Sequence, residues 1–178
     1  MKKIVFLALM SLALVPAMAQ QQHHGNGHNC ANCPHHQQHA QQQHPKTING
    51  MPAEIVNAFP TANSVKKDAK WTVVYDAKKV VLGYAVYSKP ASNGIKGYNG
   101  ETPLMIALSP KQKVISVTIL DNQETPGYQN RVINAGLLKS WDGLKVKKAA
   151  KKNVDAVSGA TYSSRSIIQT LQAALRAL

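Results

Sequence analysis

Ser158-Gly159-Ala160-Thr161 has the residue types of a phosphate-binding turn. It stands between a short extended stretch and an apolar-periodic run that ends the chain. A helix starting there would present unsatisfied N–H groups and the positive end of its dipole, which together suit a phosphate. Gly159 and Ala160 let the backbone approach a ligand closely. The hydroxyls of Ser158, Thr161, Ser163 and Ser164 add donors. The same residues also make an ordinary Gly/Ser-rich helix cap, the commoner outcome, so the residues alone leave both readings open.

A second set of chemistry-bearing residues lies far upstream. Cys30-Ala-Asn-Cys33 sits among His23, His24, His28, His35, His36, His39 and His44, which are all the histidines of the chain. Pro34 follows Cys33, where a haem-attachment motif would need His. Thiolates and imidazoles suit copper(I), zinc or nickel, with Cys30, Cys33, His28, His35 and His36 as candidate ligands. In an oxidising compartment the two cysteines can pair instead. Residues 20–47 are rich in Gln and His and lack apolar periodicity, so they are expected to form a disordered tail. A metal-binding segment and an inert polar linker are its two readings.

The N-terminus speaks to the compartment. Lys2 and Lys3 precede an apolar run from Ile4 to Val15, and Ala17-Met18-Ala19 has the small-x-small pattern of a signal-peptidase site. This pattern predicts a secretory signal peptide over residues 1–19. The apolar run falls short of the roughly 20 residues that span a bilayer. The mature protein is expected in the periplasm, or outside a single-membrane cell. Without Lys2 and Lys3 the formal charge falls from +13 to +11. Such a charge invites a nucleic-acid reading. Export, dispersed lysines and the lack of a nucleic-acid motif argue against it. The one lysine cluster, Lys145 to Lys152, reads as a solvated face or a docking surface for an acidic partner.

The elements that must position Thr161 follow from periodicity. Met51 to Phe59 predicts a short helix with Pro52 near its first turn. Trp71 to Tyr75 and Val80 to Ser88 are β-branched and aromatic, with a turn at Asp76 to Lys79, and predict a hairpin. Lys89 to Gly100 holds Pro90, Gly94, Gly97 and Gly100 and predicts a loop. Thr102 to Leu108 and Val114 to Leu120, joined by a turn at Ser109 to Lys113, predict a second hairpin. A helix is expected from Arg131 to Trp141, stopped by Asp142-Gly143, then a short strand at Leu144 to Val146. Ser163 or Ser164 is expected to cap a last helix whose Ile167, Ile168, Leu171, Ala174, Leu175 and Leu178 share a face. The sum is an α+β fold: a mainly antiparallel sheet of two hairpins packed with about three helices, as a single domain over residues 48–178.

Several of these segments together resemble one family. Asp155-Ala-Val-Ser158-Gly159-Ala160-Thr161 resembles the Asp-x-x-(Ser/Thr)-Gly-Ala-Thr flavinylation motif of FMN-binding domains. These occur in periplasmic flavin subunits of the Rnf and sodium-pumping NADH:quinone reductase complexes. Lys96-Gly97-Tyr98-Asn99-Gly100 resembles the family's Gly-Tyr-x-Gly lead-in to a strand. Glu124-Thr125-Pro126-Gly127-Tyr128, after the strand Val117 to Leu120, resembles its Glu-Thr-Pro-Gly loop. Trp141 with Gly143 fits the helix end that follows. The order holds over about residues 60 to 178.

The resemblance implies FMN joined through a phosphoester to Thr161 by a dedicated flavin transferase. It assigns Asp155, Ser158, Gly159 and Ala160 to the same cofactor site. Tyr98, Glu124, Thr125, Pro126 and Gly127 join them on the flavin side. Leu104 and Met105, or Tyr98 and Tyr128, are candidate walls for the flat ring. Read without the resemblance, Pro126-Gly127 is a type II turn and Tyr98 a packing residue. No residue is an obvious proton donor to a substrate, so electron transfer is expected rather than a substrate-converting reaction. The expected partners are the flavin transferase and a redox protein or membrane-associated redox complex. An extracytoplasmic metal-binding or metal-buffering protein, acting through the His/Cys tail, is the alternative.

Overall fold

Residues 47, 48 and 50–178 are described by the structure, a computed structural model. The expected signal peptide and nearly all of the His/Gln/Cys-rich tail, with the candidate ligands Cys30, Cys33, His28, His35 and His36, lie outside the described residues. Those that are described fall within one compact unit, Gln41–Leu178.

The fold is α+β, organised on one antiparallel sheet. A two-stranded ladder, β1 (Thr47–Ile48) with β2 (Met51–Pro52), leads into the short helix α1 (Ala53–Ala58). The main sheet is a five-stranded meander in chain order: β3 (Ser64–Lys67), β4 (Thr72–Tyr75), β5 (Val81–Tyr87), β6 (Leu104–Leu108) and β7 (Val114–Ile119). Both expected hairpins are present, as β4–β5 and β6–β7. They are not separate, because β5 pairs antiparallel with β6 from Tyr84↔Leu108 to Tyr87↔Met105.

β6 shows how the sheet holds the molecule together. All five of its side chains are buried. Leu104, Ile106 and Leu108 enter one core and Met105 and Ala107 enter the other, so a continuous apolar run marks a strand covered on both faces. One face carries α1, whose Ile55, with the following Phe59, packs on Val74, Ala85, Met105 and Ala107. The other carries α2 (Pro126–Asn134), a 3-10 turn (Leu137–Trp141), α3 (Val146–Ala149) and the long α4 (Thr161–Arg176). There Trp141, Val132, Ile167, Leu171 and Leu175 form the larger core. Burying each large aliphatic side chain stabilises the fold by roughly 1.5–3 kcal/mol.

Four local expectations are corrected. The helix expected at Arg131 to Trp141 begins earlier, at Pro126, and is broken by Gly136, whose φ of 72° ends α2 before the 3-10 turn. Pro126 is the first helical residue, where its missing N–H costs nothing, so Pro126-Gly127 starts a helix rather than forming a type II turn. The strand expected at Leu144 to Val146 is a single bridge, Lys113↔Lys145, after which α3 begins. Ser163 and Ser164 do not cap α4: Thr161 is its first residue, Ala160 occupies the cap position without a side-chain cap bond, and both serines lie buried inside the helix.

Candidate functional site

Three segments meet around the first turn of α4, and buried Glu124 joins two of them to it. Its side chain is only 3% exposed. Ser163 Oγ donates to Glu124 Oε1 at 3.0 Å, from inside the first turn of α4. The Asn99 N–H donates to Oε2 at 3.2 Å and the Thr125 N–H to Oε1 at 3.4 Å. A buried carboxylate is tolerated when donors surround it, and here the donors come from three separate stretches of chain. The 97–100 loop is fitted to this carboxylate. A Cβ at Gly97 would run into Glu124 Oε2 and lie 2.9 Å from Ser166 Oγ. Asn99 Nδ2 also donates to the Gln123 carbonyl at 2.6 Å.

The loop is braced from its other side by Glu101. Its carboxylate pairs with Lys89 Nζ at 2.7 Å and accepts the Gly94 N–H at 2.7 Å. The Lys89 contact, followed by the Gly94 N–H, holds the Glu101 carboxyl below its usual range. The loop so fixed presents Tyr98, 62% exposed. Its ring stands edge-on to Tyr128 of α2, centroids 4.9 Å apart. Tyr98 and the half-buried Tyr128, which packs on the larger core, are thus an aromatic pair suited to bordering a flat ligand. The other proposed walls are not available: Leu104 and Met105 are completely buried, on opposite faces of the sheet.

The turn that ends in Thr161 is built by Ser164. Its Oγ accepts the Val157 N–H at 3.0 Å and donates to the Ala160 carbonyl at 2.8 Å. The Ala160 N–H closes the turn on the Val157 carbonyl at 3.0 Å. Gly159 takes φ 73°, a conformation that L side chains rarely adopt. Ser163 and Ser164 are therefore committed to protein partners and offer a ligand nothing, contrary to expectation. Ser158 is exposed and Thr161 half-buried, and no protein group bonds the hydroxyl of either among the described residues. Thr161 is the first helical residue, so the first intrahelical bond of this end is Ser164 N–H to Ala160 carbonyl, 2.9 Å. The earlier N–H groups face outward, as at any helix start.

Asp155 lies apart from the Glu124 cluster. With Val154, Ala156, Arg165, Ile168 and Gln169 it lines an open recess of about 350 Å³ along the outer flank of α4. Thr125 is the cap residue of α2, and Gly127 is exposed one residue after Pro126. The expected site residues thus fall into two groups. Tyr98, Glu124, Thr125, Pro126 and Gly127 gather around the Glu124 carboxylate. Ser158, Gly159, Ala160 and Thr161 form the adjoining turn, with Asp155 on its flank.

One residue at the site escaped the sequence reading. The Arg131 guanidinium rests on Gly159, so that a Cβ there would collide with Nη1 and lie 3.2 Å from Cζ. No local pattern marks it, because the contact joins residues 28 positions apart.

Residues 97–176 match the family model of the FMN-binding domain. This part of the chain belongs to the FMN-binding domain family. The matched stretch of the FMN-binding domain contains Gly97 and Tyr98, Glu124 to Gly127, and Ser158 to Thr161. One subunit of the proton-translocating ferredoxin:NAD(+) oxidoreductase complex of Clostridium ljungdahlii is 29% identical over 128 residues, covering 68% of this chain and 66% of that protein. One subunit of the ion-translocating oxidoreductase complex of Haemophilus influenzae is 34% identical over 120 residues, covering 57% and 54%. One subunit of the Na(+)-translocating ferredoxin:NAD(+) oxidoreductase complex of Acetobacterium woodii is 28% identical over 123 residues, covering 68% and 55%. The chain therefore spans between about half and two thirds of the length of these relatives.

The residues present fit an FMN. A positive-φ glycine allows close backbone approach, outward N–H groups and an arginine suit a phosphate, and exposed Tyr98 edge-on to Tyr128 suits a flat ring.

Proposed function

We propose that this chain is an exported electron-transfer flavoprotein, with FMN joined through a phosphoester to Thr161. The observation that carries the reading is Thr161 itself. It stands at the first position of α4 after a positive-φ glycine turn, its hydroxyl bonded to no described protein group, inside the stretch that matches the FMN-binding domain. A flavin transferase would join the Thr161 hydroxyl oxygen to the flavin phosphate of a flavin dinucleotide, breaking its pyrophosphate bond so that the nucleoside monophosphate leaves and the hydroxyl proton is released. The bound flavin supplies the redox chemistry. Ser158 and the free N–H groups of the first turn hold the phosphate end, and Tyr98 with Tyr128 borders the ring. Asp155, exposed on the flank of the turn, is available for recognition by the transferase.

Export rests on the signal-peptide pattern of residues 1–19, which lie outside the described residues. Among the described residues no helix is long and apolar enough to cross a membrane. The relatives, named as subunits of redox complexes, support such a complex as the partner. The lysine run from Lys145 to Lys152 offers that partner or the transferase a basic surface. Co-expression with a flavin transferase is expected to give a yellow protein whose flavin fluorescence survives a denaturing gel. Thr161→Ala is expected to abolish that fluorescence and leave the fold intact. A wild-type band without flavin would remove the covalent part of the proposal.

A further inference from the structure

We infer that Arg131 is the phosphate-holding cation of this site, a role that rests on the FMN reading of Thr161. The reason is electrostatic. The guanidinium lies against Gly159, two residues before the start of α4, and so beside the positive end of the helix dipole. A cation there is the reverse of what the dipole favours; helix N-termini attract anions and repel cations. Arg131 is not drawn to the turn by a carboxylate, because among the described residues its side chain makes no hydrogen bond or ion pair. Arg131 is exposed, so its guanidinium and the outward N–H groups of the helix start are open to the same anion. A phosphoryl group is suited to that, since guanidinium offers it two parallel N–H donors.

The local structure holds Arg131 to this task. Pro126 fixes the start of α2 and Val132, next to Arg131, is completely buried, so the helix cannot rotate Arg131 away. Gly159 has no side chain, which leaves room for the guanidinium to lie flat on the turn. Arg131 is a positioning residue: it orients the phosphate end against Thr161 and contributes no electrons.

The test uses the full chain loaded by a flavin transferase, in wild-type, Arg131→Gln, Arg131→Lys and, as a control cation elsewhere on α4, Arg165→Gln forms. Two readouts apply: the initial rate of flavin incorporation and the phosphorus NMR resonance of the attached phosphate. Arg131→Gln should slow incorporation on the order of tenfold, matching loss of a charge-assisted hydrogen bond, and should move the phosphorus resonance. Arg131→Lys should recover part of the rate, and Arg165→Gln should leave the resonance in place. Equal incorporation and an unmoved resonance in Arg131→Gln would overturn the inference while leaving Thr161 as the attachment point. Failure of the wild-type chain to take up any flavin would overturn the Thr161 reading instead.

Discussion

The two faces of the sheet are packed by different chemistry. The α1 face is apolar: Ile55, Phe59, Val74, Ala85, Met105 and Ala107 close it, and its polar link is the Tyr87 hydroxyl donating to Glu54 at 3.1 Å. The α4 face buries Glu124, Ser163, Ser164, Ser166 and Thr170 among its aliphatic side chains. Buried polar groups are costly unless bonded. Three of those on the α4 face are bonded to loops: Ser163 to the Glu124 carboxylate, Glu124 in turn to the Asn99 N–H, and Ser164 to the turn before Thr161. The difference teaches a division of labour. The α1 face supplies stability, and the α4 face gives up some apolar packing to fix the loops that form the site.

The largest effect that would test this division is on the α1 face. Phe59→Ala empties a nearly closed aromatic position and should cost about 3–5 kcal/mol. Thermal unfolding is expected to show the loss, while the flavin incorporated per folded molecule stays at the wild-type level. A parallel fall in flavin per folded molecule would break the comparison.

On the α4 face, Gly97→Ala should cost about 1–3 kcal/mol. Its Cβ meets Glu124 and Ser166, both buried and unable to swing away. This substitution should disturb the Tyr98 loop directly. Expected results are slower flavin incorporation and an altered flavin absorption envelope, at a smaller stability loss than Phe59→Ala. Unchanged incorporation and spectrum would mean that the Glu124 bracket does not shape the site.

The smallest effect concerns pH. Burial, then the neighbouring Glu54 charge and hydrogen bond, pushes the Tyr87 hydroxyl well above its usual range. The unfolded chain would lose this proton near pH 10, before the folded one does. The contribution is therefore fully present below about pH 10 and is lost as pH rises from there toward the folded value. Tyr87→Phe should flatten the alkaline fall in stability, measured by denaturant unfolding from pH 8 to 11, without altering the flavin spectrum.

Much of the fold was legible because burial writes itself into periodicity. Leu104 to Leu108 is a continuous apolar run and is buried on both sides. β3 could not be found that way. Its Ser-Val-Lys-Lys side chains are all exposed, and it is held by main-chain pairing with β4 from Ser64↔Tyr75 to Lys67↔Thr72. The start of α2 was hidden by the turn-like look of Pro126-Gly127, although Pro at a first helical position was the better clue. At the site, Thr161 does stand at a helix start, as its sequence context implied. Ser163 and Ser164 are not donors to a ligand, and their spacing from Ile167, Ile168 and Leu171 already puts them on the buried stripe of α4. Arg131 was missed because its significance depends on a contact with a residue 28 positions away, which no local pattern reports.

The central claim is most directly tested by proteolysis and mass spectrometry of the chain purified from cells that also make a flavin transferase. One flavin phosphate is expected on the peptide containing Thr161, with fragment ions placing it on that residue. A peptide carrying Thr161 unmodified, beside flavin attached elsewhere or absent, would contradict the claim.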